Sequence, residues 1–351
     1  MGTRMDPIDA RLGLPKQGRF KLPKWLLPVL GYGVAAAALV WVFSQFPFAK
    51  LGEHLRTLDW GWISIAILVE VGVYFLDAWR WKVILGPVGD PPFGSCVQAV
   101  FVGLFANDIL PARAGEVIRC FLLSYKTEVP LSLALTSDLI ERIMDGVWIV
   151  ALYLLVTREI ATHDDVNHGM WVFGISVAIL ALLLLWMLFH KQHAHKYMNK
   201  SKFGERFLHL LDEIHRLGHW KELGATMAIT GLYWLAQIFV IWAIARADSF
   251  DFGFGQMAFL LVVKTVGTLI PNAPANLGVF QATIIYALTK LYTERPEAAI
   301  LAEIIFTVLT LPLLIGGAIA IAFAGFSLGD LHRHAHEAHN TQKLRLHEKS
   351  S

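Results

Sequence analysis

Apolar residues along this chain gather into blocks too long and too uniform for the one-sided stripe of a soluble helix. Eight blocks stand out: Trp25–Phe48, Gly61–Leu76, Ser95–Leu110, Leu131–Val156, Met170–Phe189, Leu223–Ala245, Gln256–Ile270 and Ala298–Phe326. A helix needs about 20 mostly apolar residues to cross the hydrocarbon of a bilayer. The first block is longer than the apolar part of a signal peptide and is read as a retained anchor. Two blocks are short and broken. Ser95–Leu110 runs into Asn107-Asp108-Ile-Leu-Pro111-Ala-Arg113-Ala-Gly115-Glu116, and Gln256–Ile270 into Pro271-Asn272-Ala-Pro274-Ala-Asn276-Leu-Gly278. Gly61–Leu76 is followed by Asp77-Ala-Trp-Arg80-Trp-Lys82, read as the end of its helix.

Composition agrees with the pattern. The 351 residues are 56% hydrophobic and only 17% charged, against about 25% charged in soluble domains. This excludes a soluble globular protein and a disordered one. The cysteines, Cys96 and Cys120, are too few for a disulfide scaffold.

Charge distribution then bears on topology. Lys and Arg collect on the cytoplasmic side of membrane proteins. With eight crossings, the basic 190–222 loop would face outward. With six crossings and two re-entrant hairpins over 95–127 and 256–292, twenty-two of the 30 Lys and Arg fall inside and six outside. The expected fold is therefore an all-α polytopic membrane protein with six transmembrane helices and two re-entrant hairpins as an inverted pair. Eight transmembrane helices are the alternative. A basic tail (1–24) precedes the membrane domain (25–326), and a polar, His-rich tail (327–351) follows. Both termini are expected in the cytoplasm, at the cell inner membrane. In the 190–222 loop, Phe207, Leu208, Leu211, Ile214 and Leu217 recur at helical spacing, as a helix on the membrane surface or a solvated linker. Trp25, Trp60, Trp62, Trp79, Trp81 and Trp171 sit at block ends, where an interfacial belt is the ordinary reading.

The hairpins echo one another. Pro111-Ala-Arg-Ala-Gly115 and Pro274-Ala-Asn-Leu-Gly278 share P-A-x-x-G, each between two short apolar segments. Three crossings separate them, so they enter from opposite faces. Paired, broken hydrophobic segments of that kind point to a transport site at the interface of inverted repeats. Helix starts after Gly115 and Gly278 would offer N–H groups to an anion such as a lipid phosphate.

NDILPARAGEVIRCFLL, DLIERIMDGVWIVALYLL and LIPNAPANLGVFQATIIYAL together resemble the flippase-like integral membrane family, that of the transmembrane region of lysylphosphatidylglycerol synthase. The resemblance covers about residues 25–326. It implies a lipid-translocating unit with re-entrant helices around a central cavity. Some members carry a soluble aminoacyl-transferase domain; none is visible in these residues, so synthase activity is not carried over. Ala275-Asn276-Leu277-Gly278 stands where the family more often has Gly-Gly-Leu-Gly.

Ionisable residues inside membrane segments are costly and mark function by default. Around the first hairpin, Arg113 and Arg119 are candidate phosphate ligands, with Glu116 pairing to Arg119 at i, i+3 and meeting any cationic part of a head group. Asn107, Asp108, Gly115, Asn272, Asn276, Gly278 and Gln281 complete the expected substrate site. Asp138, Glu141, Arg142 and Asp145 share one helix face. They form either a lock of Arg142 on its acids or a proton- or cation-coupled gate. Glu70, Lys264 and Glu303 are isolated charges, with Glu70–Lys264 and Glu303–Lys264 as alternative pairs.

No metal site, cofactor motif or nucleic-acid module is evident. Asp251-Phe-Gly253 lacks the loops of a kinase, and the Asn199 glycosylation triplet falls on the expected cytoplasmic side. The leading expectation is a flippase or transporter moving a phosphate-bearing or otherwise amphipathic lipid, anionic or zwitterionic, and not an enzyme. A scaffold subunit working with lipid-biosynthesis enzymes and a membrane-embedded transferase are the other readings.

Overall fold

A computed structural model describes residues 56–110, 114–158, 164–189, 211–269, 274–291 and 295–324, and every regular element among them is helical. The Trp25–Phe48 anchor, both tails, Pro111, Arg113 and Asn272 lie outside the described residues. Helix α1 is Trp60–Gly89. α2 (Phe93–Ile109) and α3 (Gly115–Lys126) form the first hairpin. α4 (Leu131–Val156), α5 (Asp164–Phe189) and α6 (Trp220–Ala247) follow. α7 (Phe254–Gly267), a 3-10 turn at Pro274–Asn276 and α8 (Val279–Lys290) form the second hairpin. α9 (Arg295–Ala324) closes the described chain.

Length separates two kinds of helix. α1, α5, α6 and α9 each contain a span long and apolar enough to cross a membrane. α4 has 26 residues, but its four charges keep it out of a composition-based count. At 1.5 Å per residue, α2 with 17 residues and α3, α7 and α8 with 12 to 14 fall short of the roughly 30 Å needed. The short helices pack in pairs, α2 on α3 and α7 on α8. Two hairpins of short helices thus stand among longer ones, with three long helices between them.

Close approach holds the pairs, as expected where hydrophobic burial drives little and backbone proximity does more. A Cβ on Gly115 would overlap the Gly103 carbonyl oxygen and lie 2.7 Å from the Asn107 nitrogen. In the second hairpin, a Cβ on Gly267 would meet Thr283 Oγ1 at 2.7 Å. The hairpins also meet one another, because the 3-10 turn packs on α2. There Ala275 and Asn276 adopt φ of 53° and 54°, the left-handed region that favours glycine, and Gly278 has φ 83°.

Three expectations need correction. α1 does not end at Leu76; it continues to Gly89 through Asp77, Arg80 and Lys82. The charges do not mark an interface, because Asp77 and Arg80 are buried and ion-paired to each other at i, i+3. Trp81, assigned to the interfacial belt, is fully buried, and its indole N–H donates to Ser137 Oγ at 2.9 Å. Trp60 and Trp171 remain exposed. The described part of the amphipathic segment, helical over 211–217, does not lay its apolar face on lipid or water. Leu211, Ile214 and Leu217 are buried, with Leu211 and Ile214 against Met187, and Thr136 Oγ1 donates to Glu213 Oε2 at 2.7 Å.

Candidate functional site: a buried charge cluster beside a central cavity

Buried positions of α1 follow the helical period through Ile63, Ala66, Glu70, Val73, Asp77, Arg80 and Ile84. That stripe carries three ionisable side chains into the bundle. Opposite it, α4 buries Asp138, Glu141 and Asp145, and α3 buries Arg119. The result is one network. Arg80 donates through Nη1 to Asp145 Oδ1 at 2.6 Å and through Nε to Asp77 Oδ1 at 2.8 Å, with Glu141 Oε1 at 3.6 Å. Arg119 Nη2 donates to Asp138 and, at 2.8 Å, to Glu141 Oε2; its Nη1 lies 3.6 Å from Asp77 Oδ2. Tyr233 covers the Arg80 guanidinium and Trp81 that of Arg119, each at 4.8 Å. Arg80 and Arg119 are 1% and 3% exposed. Charges buried this deeply persist only when paired on several sides.

Arg142 differs. It lies 3.4 Å from Asp145 and 4.0 Å from Asp138, and its side chain is 41% exposed. That surface borders a cavity of about 460 Å³. The cavity wall draws on both hairpins: Leu104 and Asp108 from the first, Lys264, Thr265, Asn276 and Phe280 from the second. Glu70 and Asp77 of α1 and Asp145 of α4 also reach it, and Phe173, Trp234 and Phe306 supply apolar wall. Glu70 accepts from Gln237 Nε2 at 2.9 Å. Lys264 Nζ stands 6.0 Å from the centre of the Phe280 ring. One Asp108 oxygen is buried without a hydrogen-bond partner.

The structure redistributes the residues expected to bind substrate. Asp108 and Asn276 face the cavity. The expected Glu116–Arg119 pair is not made; Arg119 turns to Asp77, Asp138 and Glu141. The two glycine N–H groups expected to help hold an anion are taken by side chains of their own hairpins. Gly115 N–H donates to Asn107 Oδ1 at 2.8 Å, and Gly278 N–H to Gln281 Oε1 at 2.9 Å. Gly115 packs a backbone against Gly103 and is not a positive-φ turn. Gln281 Nε2 also donates to Glu303 Oε2 at 3.4 Å, so Gln281 is turned to its own hairpin and to α9. Among the gating candidates, Asp138, Glu141, Arg142 and Asp145 do converge, but Asp138 and Asp145 lean on Arg119 and Arg80 more closely than on Arg142. Glu70 and Lys264 border the same cavity.

Sequence reasoning missed Asp77, Arg80, Tyr233 and Gln237. For Arg80 a signal existed: the buried stripe of α1 runs through residues 77 and 80 in unbroken period. The charges there resembled a membrane boundary and masked it.

Such a chain is a polytopic, all-helical membrane protein whose paired short-helix hairpins meet at a charged cavity. It belongs to the family described as the lysylphosphatidylglycerol synthase transmembrane region, whose model matches residues 29–317. A UPF0104 membrane protein of Methanothermobacter thermautotrophicus is 22% identical over 71% of this chain and 78% of its own length. Another, from Pyrococcus horikoshii, is 23% identical over 74% and 84%. A third, from Methanocaldococcus jannaschii, is 30% identical over 41% and 45%. No solved structure matches this chain.

Proposed function

We propose that this protein translocates a phosphate-bearing lipid between membrane leaflets, without catalysing a chemical change in it. The observation that carries the proposal is the cavity itself. It lies where the two broken hairpins meet, and charged side chains line it inside a strongly apolar bundle. Broken backbone at membrane depth survives where it borders a cavity, and a ligand that needs charge there is amphipathic or ionic. The family match and the membrane-protein relatives support a membrane role of this type.

The phosphate contact belongs to Arg142 rather than to Arg119. Arg119 has its guanidinium engaged by three carboxylates, whereas Arg142 exposes its own to the cavity. Lys264 adds positive charge from the second hairpin, and Asp108 and Glu70 would meet the cationic part of a zwitterionic head group. The gating reading of Asp138, Glu141 and Asp145 belongs to the same proposal.

Reconstituted into vesicles, the protein should move a fluorescent phosphatidylglycerol faster than protein-free vesicles do. Arg142→Ala removes a charge-assisted contact of about 1.5–3 kcal/mol, so head-group affinity should fall by about one to two decades. Arg142→Lys should recover only part, lacking the planar fork. A parental protein that moves no phosphatidylglycerol above background would end the proposal.

Orientation is part of it: both termini face the cytoplasm of the cell inner membrane. Arg80 and Arg119, now placed in the buried network, leave the inner count, taking two from the twenty-two against an outer six. The bias remains strong. Single cysteines at 164 and 199 test it with an impermeant thiol reagent on whole cells. Labelling at 164 alone is the expected pattern, and labelling at 199 alone inverts the topology.

A further inference from the structure

We infer that head-group binding at Arg142 is coupled to uptake of a proton by the carboxylates behind it, so that the lipid is carried together with H+. This rests on the translocation reading and adds a co-substrate to it. The cluster holds four carboxylates, Asp77, Asp138, Glu141 and Asp145, against three guanidiniums. Arg80 and Arg119 are fixed by short contacts and are almost wholly buried. Arg142 is the loosely held cation, at 3.4 Å and 4.0 Å from its acids, and the one whose surface opens on the cavity.

A phosphate in the cavity and the two aspartates therefore compete for one guanidinium. When Arg142 turns to the phosphate, four carboxylates remain with two guanidiniums, in a site where like charges are poorly screened. One proton on the Asp138/Asp145 side restores the earlier balance: an O–H bond forms on a carboxylate, and Arg142 keeps its charge for the phosphate. Among the described residues, the ion pairs of Asp138 and Asp145 are with Arg80, Arg119 and Arg142. From α1 the neighbouring charges are Glu70, Asp77 and Arg80; from α2, Asp108; from α3, Arg119. α6 contributes the neutral phenol of Tyr233, α7 contributes Lys264 on the cavity wall, and α5 lines the cavity with no ionisable side chain. Glu213, held by Thr136 next to Ser137 and Asp138, adds a further acid.

Linkage fixes the sign. If binding takes up a proton, affinity rises as pH falls, by up to about tenfold per pH unit for one full proton. Reciprocally, bound lipid makes the cluster hold its proton more tightly. The probe is dihexanoyl phosphatidylglycerol, whose phosphodiester stays singly charged across this range. It is added to the purified full-length protein in detergent, in weakly buffered solution with a pH-indicating dye. The expected result is uptake approaching one proton per lipid bound, with affinity higher at about pH 6 than at about pH 8. Asp145→Asn should show reduced uptake per lipid bound and a flatter pH dependence. Asp138→Asn gives the same reading should the first variant fold poorly.

Binding with no proton uptake and no change of affinity with pH overturns the inference while leaving translocation standing. So does parental stoichiometry in both variants. A protein that neither binds nor translocates the lipid overturns both readings together.

Discussion

Arg80→Ala should destroy most of the folded protein recovered from membranes. The substitution takes from Asp145 and Asp77 their closest cation, at 2.6 Å and 2.8 Å, removes the guanidinium 3.6 Å from Glu141 Oε1, and leaves four buried acids to Arg119 and Arg142. Breaking a buried pair by removing one partner typically costs 3–5 kcal/mol, because an uncompensated charge stays behind. That is a large part of the roughly 5–15 kcal/mol separating folded from unfolded states. Arg80→Lys should be intermediate, since one ammonium cannot reach Asp77 and Asp145 in two directions as the planar fork does. The informative comparison is the double variant Arg80→Met/Asp145→Leu. Removing both charges leaves less unpaired than removing one, so the double variant should be milder than Arg80→Ala. Fluorescence-detected size-exclusion after a thermal ramp in detergent reads all three. A parental melting midpoint for Arg80→Ala would mean that the network carries little of the stability.

The network also shows what could be read from the chain and what could not. Element existence was legible because a membrane helix writes itself as an apolar block. α4 begins and ends at the expected residues, and the two short hairpins stand within two or three residues of their expected limits. Failures came where one signal had two physical causes. A charge after an apolar block marks a membrane boundary in most helices, but Asp77 and Arg80 are charges paired inside the bundle. Likewise the i, i+3 spacing of Glu116 and Arg119 permits a local pair, yet a guanidinium with several carboxylates in reach on a neighbouring helix is better satisfied across helices. Partner choice of that kind depends on how α1, α3 and α4 pack, which no local spacing encodes. The cavity was foreseen as a consequence of paired hairpins. From the chain alone Arg142 can be a lock on its acids or part of a gate, because one-dimensional spacing cannot say which member of a helix face lines an opening.

Gly115→Leu should be still more damaging to the hairpin than loss of any one charge, for a steric reason that leaves the charges untouched. The obstruction is backbone: the Gly103 carbonyl oxygen on one side and the Asn107 nitrogen at 2.7 Å on the other. Neither can rotate out of the way as a side chain would. α3 must therefore move off α2, which breaks the Gly115 N–H to Asn107 bond and shifts Arg119, one turn further along, away from Asp138 and Glu141. Overpacking a tight site usually costs 1–3 kcal/mol, and here the loss of buried ion pairs is added to it. Gly103→Ala should behave similarly but less severely, since its Cβ would lie 2.6 Å from the Arg119 Cβ and 2.8 Å from the Gly115 oxygen. Gly72→Ala is the control: nothing lies within 4 Å of a Cβ there, so this α1 glycine should tolerate the change. Folded yield and lipid translocation at matched protein amount should fall in the order Gly72→Ala, Gly103→Ala, Gly115→Leu. If Gly115→Leu accumulates and transports like the parent, α2 and α3 do not pack through Gly103 and Gly115, and the placement of Arg119 in the network fails with them.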